Sequence, residues 1–227
     1  MTQPEIFTIS PRFCGPPNSG NGGYVCGAVA SHSGVPVRVR LKKPPPLDVP
    51  LQVHHREGGR LELMREEELI GEAMPHEFTL DDVPPAPSYA EALNVSRHYV
   101  GFDHHPFPTC FVCGPRRARG DGLRIFPAPY GDSGLVIAPW LPDPTLGDET
   151  GKVYARFMWA ALDCPGWFAA TNEARTMLLG EMAATIDRRV HISESCVVAG
   201  WRLAPPDGRK HKVATVLYDG DGEPCAR

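Results

Sequence analysis

No apolar run in this chain approaches the length needed to cross a bilayer, so no membrane span is expected. The first residues, Met1-Thr2-Gln3-Pro4-Glu5, have neither the basic start nor the apolar stretch of a signal peptide. Positive charge is not in excess: the net charge is -4, which gives no reason to expect a nucleic-acid partner. A second C-x-x-C pair is missing, and no exact internal repeat is visible. Seven cysteines leave one unpaired, which a disulfide scaffold would not, so the cytoplasm with its reduced thiols is the expected compartment.

What is present is ordinary in bulk and unusual in one respect. A hydrophobic share of 42% and a charged share of 22% fit a folded globular chain. The 227 residues suffice for one large domain or two small ones sharing a core. The 25 prolines favour extended segments, edge strands and rigid loops over a helical bundle.

The order of element types recurs along the chain. In the first half, a turn at Asn21 leads into a helix with Val25, Ala28, Val29 and His32 on one face and Gly34 as a stop. Val37–Leu41 then alternates at strand period, and strands are expected at 51–53, 60–64 and 69–73. The run Val83-Pro84-Pro85-Ala86-Pro87 resists regular structure. The expected division is therefore an N-terminal half at 1–85, a linker at 86–105 and a C-terminal half at 106–227. The second half starts with extended segments at 122–126 and 134–138, followed by a helix at 156–163 that breaks at Cys164-Pro165-Gly166. Strands are expected at 182–186, 196–201 and 212–218, with another beginning just before Arg227. One apolar helix followed by an antiparallel meander, twice, is an α+β pattern. A helix without a polar face must be enclosed, and a curved sheet around each is the simplest enclosure.

Two stretches stand out. Asn18 to Ala30 is an asparagine- and glycine-rich turn opening a helix of small residues, with no acid. Val153 to Cys164 is an almost wholly apolar helix carrying one carboxylate, Asp163, with no glycines before it. Each has what the other lacks, as a duplicated domain would leave two degenerate halves of one site.

These residues resemble the hotdog-fold acyl-CoA thioesterases. The Asn21-Gly22-Gly23-Tyr24 turn is similar to the one that opens the central helix in double-hotdog members. Cys110-Phe111-Val112-Cys113-Gly114 with Gly122-Leu123-Arg124-Ile125-Phe126 is similar to a segment of single-hotdog thioesterases of the phenylacetyl-CoA type. Ala161-Leu162-Asp163 matches their helix carboxylate. The resemblance implies a double hotdog, two central helices each wrapped by a curved antiparallel sheet, acting on an acyl-CoA thioester. It implies that a helix-start amide of one half, at Gly23 with Asn21 and Gly22 shaping the turn, faces the acid of the other half, Asp163. No cofactor is called for, and self-association stays open.

The chemistry is consistent with that implication. Unpaired first-turn N–H groups carry the positive end of the helix dipole and suit a developing oxyanion. Gly22 and Gly23 leave room for a carbonyl to approach, and Asp163 in an apolar stretch has the tuning of a general base. The structural alternatives are a turn and cap at Asn21, and an aspartate that ties up backbone where the helix breaks. Tyr24 and Trp167 are candidate substrate contacts, and Arg116 and Arg117 are candidates for the CoA phosphates, against a reading as solvated surface. Lys152-Val153-Tyr154 departs from the His-Gly-Gly of catalytic relatives, and Ser31 and His32 stand where a first-half acid would fall, so at most one site per chain is expected.

Two rival readings use the same fold. One is a non-catalytic acyl-CoA or hydrophobic-ligand binding module. The other is a hydratase or dehydratase, whose Asp-x4-His spacing Asp187 and His191 miss by one residue. Cys110 and Cys113, with His104 and His105 upstream, raise a zinc reading, but four ligands are not in view and a tight strand start is the simpler expectation, so no metal is called for. Cys164 is expected to be packing.

Overall fold

The computed structural model describes residues 4–171 and 176–227. Among the described residues, eleven strands form two antiparallel sheets around two adjacent helices. In chain order the strands are β1 (Glu5–Thr8), β2 (Val37–Leu41), β3 (Pro50–His55), β4 (Leu61–Arg65), β5 (Glu68–Pro75), β6 (Ala128–Pro129), β7 (Val136–Trp140), β8 (Glu181–Ala183), β9 (Cys196–Arg202), β10 (Val213–Tyr218) and β11 (Pro224–Ala226). The helices are α1 (Gly22–Ala30), α2 (Tyr89–Val95) and α3 (Ala155–Ala170).

The first sheet has the order β1-β3-β4-β5-β2-β8 and the second β11-β10-β9-β7-β6. Strand alternation sets the inner face of the first: Val37 and Val39, Leu51 and Val53, Leu61 and Leu63 are buried, while Arg38 and Arg40 are exposed. β8 follows α3 in the chain yet pairs with β2, register Val39↔Met182. Just beyond it, Thr185 and Arg227 exchange backbone hydrogen bonds of 2.8 and 3.0 Å, and Ile186 bridges Ala226 beside them. The two sheets therefore meet edge to edge at the segment that follows α3.

α1 and α3 lie against each other inside this enclosure. Both are buried over most of their length, in agreement with their apolar composition. Their contact depends on two glycines one turn apart. A Cβ at Gly23 would lie 2.6 Å from Asp163 Cβ and 2.8 Å from Trp159 O; one at Gly27 would lie 2.7 Å from Trp159 Cβ and 2.8 Å from Arg156 Cα. No other residue permits so close an approach of backbones.

Several sequence expectations are corrected. α3 does not break at Cys164-Pro165-Gly166 but runs on to Ala170 with Pro165 inside it. The helix is held there from outside: Pro165 O presses on β9, where a Cβ at Gly200 would stand 2.8 Å away, and Gly166 faces Val213 of β10. Tertiary packing thus overrides the local preference to break. The segment 86–105 contains α2, started by a capping box in which Ser88 and Glu91 hydrogen-bond each other's backbone N–H. α2 packs Ala92 against Ile137, Val197, Ala199, Val216 and Tyr218 on the outer face of the second sheet. That cover explains why β9 is buried on both faces instead of alternating. The segment 122–126 is extended but not a sheet strand; Leu123 and Ile125 N–H donate instead to Phe111 O and Val112 O. β1 was not expected from the sequence.

Candidate functional site

The site is built where the N-terminus of α1 meets the middle of α3. Asn21 is the N-cap: its Oδ1 accepts from Tyr24 N–H at 2.9 Å, which fixes the orientation of the amide. The opposite end of the same amide, Nδ2, then points across to α3 and donates to Asp163 Oδ2 at 3.1 Å. Gly23 N–H donates to that same oxygen at 2.9 Å. Asn21, Gly23 and Asp163, 140 and more residues apart in the chain, thus form one hydrogen-bonded group.

Burial pushes Asp163 up to about 6 from the usual carboxylate range; the Gly23 N–H opposes this, the neighbouring Cys110 sulfur adds to it, and the Asn21 amide opposes it. The positive end of α1 and two donors hold one oxygen, Oδ2. Oδ1 makes no hydrogen bond among the described residues. The carboxylate is therefore anchored through one oxygen, and burial raises its ionisation toward neutrality.

The first-turn donors of α1 are unevenly occupied. Gly23 N–H is taken by Asp163 and Tyr24 N–H by Asn21 Oδ1. Gly22 N–H makes no hydrogen bond among the described residues, and Leu179 covers the position, 2.8 Å from where a Gly22 Cβ would be. The space at Gly23 is filled by α3 itself.

The other expected residues fall in different surroundings. The Tyr24 ring is buried, stacked on Phe13 at 4.3 Å and edged by Phe111 and Phe157, and burial raises its hydroxyl. Trp167 stacks on Phe168 and meets His105 and Phe107, with its Nε1 buried and unpartnered among the described residues. Arg117 is turned inward, donating to Thr109 O at 2.7 Å, Asp121 at 2.9 Å and Cys14 Sγ at 3.1 Å. Arg116 is exposed. Two open surface clefts, one beside Lys43 and Leu69 and one beside Val35 and Pro75, include none of these residues. Leu179 and the sulfur of Cys110, 4.0 Å from Asn21 Nδ2, were not foreseen as neighbours of the site. Neither carries a local signal, because only the folded crossing of α1, α3 and the segment before β6 brings them there.

No protein-family model matches the sequence, and no curated protein matches it. Among solved structures, the chain is similar to a tesB protein of Mycobacterium avium subs paratuberculosis, at TM-score 0.60 and 13% identity over 99% of this chain and 89% of that one. It is similar to an acyl-CoA thioesterase II of Mycobacterium marinum at TM-score 0.54 and 14% identity, over 97% and 88%. It is also similar to the dehydratase domain of a mycocerosic acid synthase-like polyketide synthase at TM-score 0.58 and 13% identity, over 98% and 87%. At such identities the likeness establishes the fold, the one that hotdog thioesterases and hotdog dehydratase domains share.

Proposed function

We propose that the chain is a double-hotdog protein that hydrolyses an acyl-CoA thioester at the junction of α1 and α3. The halves are residues 1–85 and 106–227, joined by the linker 86–105. In the first, a helix between strands one and two and the order β1-β3-β4-β5-β2 form one wrapped unit. In the second, β7, α3, β8, β9, β10 and β11 repeat that sequence of elements, with β8 as the shared edge.

The observation that carries the reading is the 2.9 Å bond between Gly23 N–H of one half and Asp163 of the other. In this mechanism Asp163, through Oδ1, takes a proton from water as the water oxygen adds to the thioester carbonyl. The oxyanion sits at the N-terminus of α1, where Leu179 must move aside for it, Gly22 N–H has no partner among the described residues and Gly23 N–H is shared with the carboxylate. Collapse of the tetrahedral carbon breaks the C–S bond, and the proton on Asp163 passes to the departing CoA sulfur. The exposed Arg116 is the better placed of the two arginines for CoA phosphates, since Arg117 already has three partners. Seven unbridged thiols accord with the cytoplasm.

A thiol-release assay over short, long and aromatic acyl-CoA esters tests this. Wild type is expected to turn over at least one ester, and Asp163→Asn to lose roughly 10²–10⁴ in rate, the usual range for a general base. Unchanged turnover in the variant removes the reading. A second reading, a non-catalytic acyl-CoA binder, is favoured by one observation: the Gly23 and Tyr24 amides are already engaged within the protein. Ester binding without thiol release would select it.

A further inference from the structure

Behind the Asp163 site lies a cluster of sulfur that the proposed hydrolysis does not use. Cys110 to Gly114 forms a tight turn closed by Gly114 N–H donating to Cys110 O at 2.9 Å. Only glycine closes it: a Cβ at Gly114 would lie 2.5 Å from both Cys110 N and Cys110 O. The turn presents Cys110 and Cys113 side by side, and α3 supplies a third cysteine, Cys164, one residue past Asp163. The three Sγ atoms all lie within 4.8 Å of one another, and all three residues are buried. Cys110 and Cys164 sulfurs are 3.9 Å apart. A tetrahedral zinc with thiolates at about 2.3 Å has S···S edges of about 3.8 Å; the Cys110–Cys164 separation falls near that edge, and the other two are no longer than 4.8 Å.

The surroundings place N–H donors beside two of the sulfurs. His105 Nδ1 accepts Phe107 N–H at 2.9 Å, which leaves the ring proton on Nε2, 3.3 Å from Cys113 Sγ, so the imidazole donates to that sulfur. Asn21 Nδ2 approaches Cys110 Sγ at 4.0 Å. Among the described residues no lysine or arginine hydrogen-bonds any of the three. Three cysteine sulfurs gathered in a buried site can be deprotonated together on binding a cation, and an N–H donor at their edge matches the usual second layer of a thiolate metal site.

We propose that Cys110, Cys113 and Cys164 supply three ligands to one thiophilic metal ion of the zinc class, its fourth position taken by a ligand from outside the protein, with His105 as an outer hydrogen-bond partner of the Cys113 thiolate. The ion would tie the segment before β6 to α3 next to Asp163, and it stands or falls independently of hydrolysis. It joins a C-x-x-C to a cysteine 54 residues beyond Cys110, which is why no second C-x-x-C is needed.

Titration of the reduced, chelator-stripped full chain with Co²⁺ tests the proposal. One equivalent should give an intense thiolate-to-cobalt charge-transfer band, displaced by one equivalent of Zn²⁺. Cys164→Ser should lower the affinity at least about tenfold and weaken the band, while Cys225→Ser, a buried cysteine elsewhere, should leave both unchanged. His105→Ala should retain the one-to-one stoichiometry with affinity lowered about 10–100-fold. Because Cys164→Ser could fail to fold, the wild-type titration is decisive by itself: no charge-transfer band at one equivalent overturns the proposal. A Cys110–Cys164 disulfide in the air-exposed protein, with no metal taken up after reduction, overturns it as well and marks a redox pair instead.

Discussion

The two central helices are built to different plans although they occupy matching places. α1 is nine residues long, capped by Asn21, opened by two glycines and free of acids. α3 is sixteen residues long, has Tyr154 at its N-cap with no side-chain cap bond, and carries Asp163 near its middle. At the far end of α1, where a matching acid would fall, Ser31 bonds back to Ala28 O and His32 pairs with Glu5 near the surface. One helix therefore offers the positive end of its dipole and the other an acidic side chain, and the two meet where Gly23 N–H donates to Asp163. On the proposed double-hotdog reading, both plans intact would give two sites, whereas here the parts of one proposed site gather at a single crossing.

The difference can be broken or sharpened by substitution, and among changes that keep every charge the largest effect should come from moving the acid. Asp163→Glu keeps the carboxylate but displaces it by about one methylene, and misplacement of that order is expected to lower kcat/KM about 10²-fold. Steady-state thiol release measures it, and a change within twofold would show that position does not matter. Next come the two contact glycines. Gly23→Ala and Gly27→Ala should each destabilise the chain by about 1–3 kcal/mol in urea unfolding, since each drives a methyl into α3. Only Gly23→Ala should also disturb the Asp163 carboxyl resonance.

Asn21→Ala removes the cap and one donor to Asp163 together. A loss of about 1 kcal/mol is expected in the same unfolding measurement. The Asp163 titration should move further up, because a hydrogen bond that lowers it is gone. The pH dependence of stability separates the acid from its surroundings. Asp163 is raised from 3.8 to about 6 in the fold, so the folded chain holds this proton more tightly than the unfolded one. That contribution is fully present below about pH 4 and is lost as pH rises through about 6. Asp163→Asn, which cannot titrate, should therefore gain stability relative to wild type across that window; a constant difference would place the carboxyl in water. The smallest effect is at the surface. Arg116→Ala should raise KM for CoA esters only a few-fold, and less at high salt, as exposed charges behave.

Much of this arrangement is legible in the residues. Alternation marks β2, β3, β4 and β5 because one face of the first sheet is open to water. The Asn-Gly-Gly turn marks the start of α1, since an N-cap and Cβ-free positions are local requirements. Legibility fails where long-range packing decides. β1 is four residues with little buried surface, so it has almost no pattern to read. Pro165 reads as a break, but β9 and β10 hold α3 straight past it. The Ser88–Glu91 capping box was readable and was obscured by the prolines before it. At the site, Asn21, Gly23 and Asp163 each carry a signal of their own, whereas Leu179 and Cys164 acquire a role only from the neighbours the fold gives them.

The most direct test is a crystal structure with a non-hydrolysable acyl-CoA analogue in which a methylene separates the carbonyl from sulfur. The carbonyl oxygen is expected within hydrogen-bond distance of Gly22 or Gly23 N–H, with Asp163 Oδ1 facing a water beside the carbonyl carbon. An analogue bound with its carbonyl remote from α1, or one that does not bind at all, would contradict a thioester-hydrolysing site at this crossing.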